Sequence, residues 1–301
     1  MKSIFIQLAA YHDHELGRTI NDCIQKSSGE YDIKFGVHLC YYKNDEISIP
    51  NLKNVKIKKV MAPEGLGVGY ARCMANQFYN NEDYYLQIDS HTRFAPNWDK
   101  DFISTYNKYF EAGCNPVLTS YPSGYHYENF KVVLDKNPTV VFADFVRTKK
   151  SQENFLQTNF LHQESKQNEE GNIFTRAVSG GEIFSSGNIA NIQPNTKMFN
   201  WGEEFLTAIR FFTHGYDLML PEKQSLYHLY YDDPIKSQRR MAGEDFPSEN
   251  NKISLESNDE IGRIINNKII GDFEMGSKRT LEDFGRYAEI DFGKKTLYPM
   301  V

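Results

Sequence analysis

The sequence predicts an α/β fold in which helices cover both faces of a mostly parallel β-sheet. Segments of strand-like and helix-like character alternate over the first hundred of the 301 residues, which is typical of such sheets. Hydrophobic residues make up 40% of the chain and aromatic residues 14%, enough to build a core and to exclude a disordered protein. The length suits one large α/β domain or two modest ones.

The first ninety residues predict four strands, in the stretches SIFIQLAAY, YDIKFGVHLCYY, VKIKKVMA and DYYLQID. A helix is expected over residues 15–27, and a second helix is expected to begin near Gly69 or Tyr70, after a glycine-bearing loop. In parallel sheets, ligands bind beyond the carboxyl ends of the strands. Tyr11 and Asp89 lie at two such ends, so we expect a binding site at this edge of the sheet.

Shorter elements are predicted in the rest of the chain. Further strands are expected in the stretches NPVLTSYP, PTVVFADFVRTK and RAVSGGEIFSSGNIANI, and two extended runs in YDLMLPEKQSLYHLYY. The stretch GEEFLTAIRFFTHG predicts a helix that buries Ala208, Phe211 and Phe212 and ends at Gly215.

The composition of two segments sets the expected domain boundaries. Residues 151–172 are polar and lack a clear period, which indicates an exposed loop or lid. Residues 232–301 are charged and rich in asparagine, with a weak helix in ESNDEIGRIINNKI. We therefore expect a main domain over residues 1–231 and a C-terminal appendage over residues 232–301 that packs on or near it.

Charge and apolar runs exclude several classes of protein. The net charge of −6 argues against broad binding to nucleic acid or to a membrane surface, which calls for a basic face. The run after Lys2 is short and is interrupted by Gln7, so we interpret it as a buried first strand rather than a signal peptide. No run reaches the ~18 apolar residues of a membrane span.

The cysteines are widely scattered, at Cys23, Cys40, Cys73 and Cys114. They fit free thiols in a reducing compartment, so we expect a cytoplasmic protein.

A candidate metal site follows from the end of the fourth strand. Alternation along a strand places Asp89 and His91 on one side and Ser90 on the other. Two such ligands can hold a divalent cation and leave positions open for phosphate oxygens. Taken alone, the pair is equally consistent with an aspartate that caps a turn beside a surface histidine. His228, which interrupts an aromatic, strand-like run, is the best third ligand, although a hydrogen-bonded core histidine is the commoner reading of such a residue.

Two other stretches carry candidate functional groups. Arg72 lies in the first turn of the second helix, where it can reach a nucleotide or remain a surface side chain. Glu203 and Glu204 begin the predicted helix of the stretch FNWGEEFLTAIRFF, a place where the helix dipole favours acids anyway. Trp201, just before them, is an aromatic platform of the kind that stacks on sugar rings. We therefore interpret this turn as part of a cleft.

Several stretches together resemble glycosyltransferases of the GT-A architecture. The similarity is to the cytoplasmic polypeptide N-acetylglucosaminyltransferases that modify hydroxyproline, and to their bacterial relatives. The stretches follow the family's order over nearly the whole chain: AAYHDHELGRTI, GVGYARCMANQFYNNEDYYLQIDSHTRFAPNWD, FNWGEEFLTAIRFFTHGYDLMLP, YHLYY and RTLEDFGRYAEIDF. The resemblance implies a Rossmann-like, mixed but mostly parallel sheet, and a catalytic domain over residues 1–231.

The resemblance also implies the activity, an enzyme that moves a hexose or pentose from a nucleotide sugar. The donor is a UDP-sugar, by default UDP-N-acetylglucosamine, and transfer retains the anomeric configuration. The acceptor expected from it is a hydroxyl of a protein or glycan, and the expected cofactor is a divalent cation, Mn²⁺ or Mg²⁺. No membrane partner is implied.

Site residues carry over position by position. By the resemblance, Asp89, His91 and His228 are expected to hold the metal and Glu203 or Glu204 to act at the acceptor, with the choice between the two glutamates open. The donor-binding set comprises Ala9, Tyr11, Arg72, Ser90, Gly180, Gly181 and Trp201. The chain departs from the family after YHLYY, where Asp232 and Asp233 stand in place of a frequent arginine. The side chain that supplies positive charge beside the donor phosphates is therefore undetermined.

Three other interpretations compete. A hydroxylated DNA base, as in some viral sugar transferases, is an acceptor that the acidic balance disfavours. A nucleotidyltransferase would offer an N-terminal glycine-rich loop with a nearby lysine, and the stretch LAAYHDHE offers neither. A degenerate sugar-binding or nucleotide-binding module would not require Asp89, His91 and His228 together with both glutamates.

Overall fold

The computed structural model describes residues 1–136, 138, 140–146, 157–161, 174–199, 202–230, 242–266, 273–294 and 296–297. A seven-stranded sheet in the order β12-β6-β11-β4-β1-β2-β3 forms its centre. All neighbouring strands in this sheet run parallel except β11, which is antiparallel to both β4 and β6. The sheet is therefore mixed but mostly parallel, as the sequence predicts.

The strands of this sheet are β1 (Ser3–Tyr11), β2 (Asp32–Tyr41), β3 (Val55–Met61), β4 (Tyr84–Asp89), β6 (Pro116–Leu118), β11 (Glu182–Ser186) and β12 (Asp217–Met219). A second sheet has the order β5-β13-β7-β8 and contains β5 (Thr92–Phe94), β7 (Ser123–Glu128), β8 (Lys131–Leu134) and β13 (Leu226–His228). Two small sheets pair β9 (Phe142–Val146) with β10 (Gln157–Leu161), and β14 (Ile290–Asp291) with β15 (Thr296–Leu297).

The helices of the described residues are α1 (Leu16–Lys26), α2 (Val68–Asn76), α3 (Trp98–Glu111), α4 (Glu203–Thr213), α5 (Ala242–Asp245), α6 (Pro247–Ile265) and α7 (Leu281–Ala288). A short 3₁₀ helix at Gly187–Asn191 follows β11. Within α4, Ala208, Phe211 and Phe212 are buried as expected. Gly215 follows with a φ of 91°, a left-handed conformation that ends the helix without a steric penalty.

Alternating side chains of the central sheet build two cores. Ile4, Ile6 and Leu8 of β1 pack with α1 and α3 on one face. Phe5, which points the other way, joins a core that contains α4. Phe284 of α7 and Ile261 and Ile264 of α6 lie in this second core. The described C-terminal helices therefore share a core with the central sheet.

Some predicted segments lie outside the described residues. Only the strand β10 is described between residues 151 and 172, so the expected loop or lid there stays a prediction. The same is true of the expected boundary at residue 231, since residues 231–241 are not described.

Candidate metal and nucleotide-sugar site

The turn after β4 brings three distant residues together. Asp89 is the last residue of β4, and Ser90 and His91 form the turn that leads into β5. The short strand β5 pairs with β13, which places His228 opposite Thr92. His91 therefore lies in a turn rather than on the strand, and its approach to Asp89 comes from this pairing and not from strand alternation.

The three side chains converge on one point. His228 Nε2 lies 2.8 Å from His91 Nε2 and 3.1 Å from Asp89 Oδ2, and one ligand atom from each residue falls within 4.8 Å of the others. Neighbouring ligands of an octahedral ion at about 2.1 Å stand about 3 Å apart. One carboxylate oxygen and two imidazole nitrogens suit Mn²⁺ better than Mg²⁺, because imidazole favours transition metals. The donor set therefore fits a divalent transition metal.

Asp89 is held in its charged form. Burial opposes ionisation of this carboxyl group, but the hydrogen bond to His228 and the charges of His91 and Arg72 outweigh it. The pKa of Asp89 consequently lies well below its usual range. An ionised carboxylate is the form that ligates a metal.

Arg72 supplies a buried positive charge next to this cluster. Its side chain is 5% exposed, and Nη1 lies 2.7 Å from Glu203 Oε2 while Nη2 lies 3.6 Å from Asp89 Oδ1. Nη2 also donates to the carbonyl oxygen of Gly180 at 2.9 Å. Burial alone would lower the pKa of Arg72, but the nearby carboxylates outweigh this effect and raise it above its ordinary value. The guanidinium group therefore stays charged.

Gly180 and Gly181 let the backbone approach this charged cluster. A Cβ atom on Gly180 would lie 2.8 Å from Arg72 Nη2, and one on Gly181 would lie 3.1 Å from Asp89 Oδ2. A side chain at either position would therefore displace a charged group. The glycine pair forms the turn before β11, and the strand that the sequence predicts begins only at Glu182.

The structure distinguishes the two glutamates at the start of α4. Glu203 is 5% exposed, and its carboxylate meets Arg72 and accepts from Thr207 Oγ1 at 3.2 Å. Glu204 is only partly buried. It accepts from the backbone N–H of Gly180 at 2.6 Å and from the hydroxyl of Tyr121 at 3.4 Å. Glu203 thus holds the guanidinium group of Arg72 in place, whereas Glu204 lies closer to solvent beside the glycine turn.

The remaining residues predicted to bind the donor occupy different places. Ala9 lies on β1 in register with Asp89. Tyr11, at the end of β1, donates to Asp245 Oδ2 and shares a hydrogen bond with Tyr42, each at 2.8 Å. The hydroxyl of Ser90 donates to the buried carboxylate of Asp13. Trp201 lies outside the described residues.

Two residues of the site, Asp13 and Tyr121, were not predicted from the sequence. Asp13 Oδ2 accepts from Ser90 Oγ at 2.6 Å and lies 2.8 Å from His91 Nδ1. A signal for Asp13 was present, because it follows β1 at the carboxyl edge of the sheet, where ligands bind. Tyr121 follows β6, and only the fold brings it to Glu204.

Comparison with known proteins gives a family and a fold. The family described as glycosyltransferase (GlcNAc) matches residues 38–294. The crystal structure of GalNAc-T7 with UDP, GalNAc and Mn²⁺ is similar at 13% identity and a TM-score of 0.55, over 95% of this chain and 55% of that one. The chain thus spans about half the length of GalNAc-T7. This likeness shows that the fold is GT-A-like, as the sequence predicts.

A second similar structure is S. aureus TarS 1-349 in complex with UDP-GlcNAc. It matches at 14% identity and a TM-score of 0.45, over 89% of this chain and 72% of that one. A search of curated protein sequences found no match. Within the described part of the chain, no helix is long and apolar enough to cross a membrane.

Proposed function

The chain belongs to the GlcNAc glycosyltransferase family, and we propose that it transfers a sugar from a UDP-sugar to an acceptor hydroxyl with the help of a divalent cation. N-acetylglucosamine is the default sugar, in keeping with the family. Mn²⁺ is preferred to Mg²⁺ in the proposal because two of the three ligands are imidazoles, which suit transition metals better than Mg²⁺, and because the GalNAc-T7 structure contains Mn²⁺. Transfer is proposed to retain the anomeric configuration, as the resemblance of the sequence motifs implies.

One observation carries this proposal. Asp89, His91 and His228 place three ligand atoms within 4.8 Å of one another at the carboxyl edge of the sheet, where α/β proteins bind their ligands. The fold shared with GalNAc-T7, whose structure contains UDP, GalNAc and Mn²⁺, supports the same kind of donor. A cation bound there supplies Lewis-acid chemistry, since it neutralises the charge that develops on a departing diphosphate.

Arg72 is proposed to assist on the phosphate side. Its guanidinium group lies 3.6 Å from Asp89 and is held by Glu203 and by the carbonyl oxygen of Gly180. A buried cation that is fixed in this way costs no reorganisation when negative charge develops nearby. Glu203 is therefore proposed as the residue that positions Arg72.

Glu204 is proposed as the acid at the acceptor. It is the more exposed of the two glutamates, and it is anchored by Gly180 and Tyr121. In the proposed step the acceptor oxygen forms a bond to the anomeric carbon while the bond from that carbon to the diphosphate oxygen breaks. The acceptor proton passes to a phosphate oxygen, so no strong base is required. Glu204 orients the hydroxyl and stabilises the positive charge on the sugar.

The acceptor is proposed to be a protein or glycan hydroxyl. A hydroxylated DNA base is disfavoured because the chain carries a net charge of −6, whereas DNA binding calls for a basic surface. A degenerate module that binds a nucleotide sugar without transfer is the remaining alternative. It is disfavoured because the ligand set, Arg72 and both glutamates occur together at one edge of the sheet.

The test is UDP release from a panel of UDP-sugars, measured with Mn²⁺ and again with EDTA. The proposal predicts release from one sugar, by slow transfer to water, and loss of that release when EDTA removes the metal. Release that EDTA does not affect would contradict the role of the metal. Absence of both UDP release and UDP binding would overturn the proposal that the donor is a UDP-sugar. Binding without release, followed by no transfer to protein and glycan acceptors, would favour the degenerate module.

A further inference from the structure

We infer that Asp13 is a positioning residue that fixes the tautomer of His91, so that Nε2 of this imidazole is available to the metal. This inference rests on the proposed function, because it takes His91 as a ligand. Asp13 follows β1 and is not one of the three proposed metal ligands. The geometry that assigns it this role is that of a carboxylate behind a ligating histidine.

The contact between the two side chains is buried. Asp13 is 4% exposed and His91 6%, and Asp13 Oδ2 lies 2.8 Å from His91 Nδ1. Asp13 also accepts from Ser90 Oγ at 2.6 Å and, through Oδ1, from the backbone N–H of Glu15 at 2.9 Å. Two donors, the Ser90 hydroxyl and the Glu15 backbone N–H, thus fix this carboxylate as an acceptor beside the imidazole ring.

The carboxylate of Asp13 determines where the proton of His91 lies. Both of its oxygens already accept hydrogen bonds, Oδ1 from the backbone N–H of Glu15 and Oδ2 from Ser90 Oγ. A carboxylate without a proton can only accept hydrogen bonds. Nδ1 of His91 must therefore be the protonated nitrogen, and the lone pair of the neutral ring lies on Nε2.

That lone pair points at the metal site. His91 Nε2 is 2.8 Å from His228 Nε2, which in turn lies 3.1 Å from Asp89 Oδ2. If Nε2 carried the proton instead, His91 would present an N–H group to the cation and could not ligate it. Asp13 thus selects the one neutral tautomer of His91 that can act as a ligand.

The surrounding structure holds this arrangement from both ends. His12 adopts a φ of 45°, which turns the chain after β1. Thr19 of α1 lies within hydrogen-bonding distance of the carbonyl oxygens of Ser90 and Thr92, at 2.7 and 3.0 Å. Glu15 pairs with Arg93 just beyond them. The first turns of α1 therefore hold the turn that carries His91 by hydrogen bonds, and Asp13 orients the His91 ring.

Two readouts test the inference without measuring transfer. The first is the tautomer of His91 in the metal-free protein labelled with ¹⁵N-histidine, with the signals assigned by comparison with the His91→Gln variant. The second is the affinity for Mn²⁺ alone, measured by electron paramagnetic resonance. The wild type should show the Nδ1–H tautomer. Asp13→Ala should shift His91 toward the Nε2–H tautomer and weaken Mn²⁺ binding by about 10- to 100-fold.

Asp13→Asn should give an intermediate result, since its amide oxygen can still accept from Nδ1–H. The matched control is Asp99→Asn. Asp99 is fully buried and also accepts from a serine hydroxyl and a backbone N–H, those of Ser28, but it does not contact the metal site. The control should lose stability and yet keep the Mn²⁺ affinity of the wild type.

The outcomes separate this inference from the proposed function. If the wild type binds no Mn²⁺, the metal-dependent function fails, and the role of Asp13 fails with it. If the wild type binds Mn²⁺ but Asp13→Ala keeps either the wild-type affinity or the Nδ1–H tautomer, only the inference is overturned. Equal loss of Mn²⁺ affinity in Asp99→Asn would also overturn it, because the effect would then follow from general destabilisation.

Discussion

Asp89 is the residue on which the proposed metal site depends most, because it contacts both His228 and Arg72. We predict that Asp89→Ala abolishes Mn²⁺-dependent binding of UDP, measured by isothermal titration calorimetry. Asp83→Ala is a matched control, since Asp83 is exposed and directly precedes the opposite end of the strand that Asp89 ends. Retention of Mn²⁺-dependent binding by Asp89→Ala would show that the metal lies elsewhere.

The two glutamates of α4 should differ in what their loss affects. Glu204→Gln is predicted to lower the turnover number about 100-fold or more while UDP binding stays within about threefold, as for a group that acts on the transition state. Glu203→Gln is predicted to weaken UDP binding and lower the melting temperature, because it leaves the buried charge of Arg72 partly uncompensated. Steady-state kinetics, UDP titration and thermal unfolding of both variants decide this. The reverse pattern would exchange the two roles.

Glu182 gives the stability an expected pH dependence. Burial raises the pKa of this fully buried carboxyl group from 4.5 to about 8, although Ser120 donates a hydrogen bond to it. The folded protein therefore holds a proton that the unfolded chain releases above about pH 4.5. Its stability should consequently fall as the pH rises from 5 to 8.

The neutral variant Glu182→Gln should escape this loss. The melting temperature of the variant minus that of the wild type should increase from pH 5 to pH 8 and then level off, by roughly 5 °C or more. Glu111→Gln, at an exposed glutamate of α3, should show no such trend. A difference for Glu182→Gln that stays constant across this range would refute the prediction.

At the site, the sequence singles out residues whose type already suggests a function. Asp89, His91, His228 and Arg72 are placed close together by the fold, as the proposal requires. Asp13 could not be assigned in this way, because its role depends on the orientation of the His91 ring. The difference between Glu203 and Glu204 likewise depends on which of them meets Arg72, and no spacing rule predicts that contact.

Among the elements, long apolar strands were the most predictable. The segments β1 to β4 and helices α1, α2 and α4 follow patterns that are local in the sequence. Helix α3 was missed, although Trp98, Phe102, Tyr106 and Tyr109 are buried along one of its faces at a helical spacing. Aromatic residues at those positions suit a strand as well as a helix, so the local signal was ambiguous.

Helix α7 is predicted to be integral to the main core. Phe284 is fully buried, and its ring lies 5.4 Å from that of Phe212 on α4 and 6.1 Å from that of Phe145. Phe284→Ala should lower the free energy of unfolding by about 3–5 kcal/mol, measured by urea denaturation. Phe110→Ala on α3, where the side chain is 56% exposed, should change it by less than about 1 kcal/mol. A separate early transition confined to the C-terminal helices would contradict a shared core.

At the level of the whole molecule, the order of the strands makes the site. The pairing of β5 with β13 joins residues that are 137 positions apart in the sequence, at His91 and His228. Such long-range pairing leaves no local trace, so His228 could be chosen only as the most suitable histidine. Similarly, β11 enters the sheet antiparallel next to β4, which brings Gly180 and Gly181 to Arg72 and Asp89.

The proposed metal site can be located by the anomalous diffraction of Mn²⁺ in crystals grown with Mn²⁺ and UDP. We expect one strong peak about 2.0–2.3 Å from Asp89, His91 Nε2 and His228 Nε2. Diphosphate oxygens should complete the coordination. Bound UDP with no peak at these three residues, or a peak at another site, would contradict the proposed metal site.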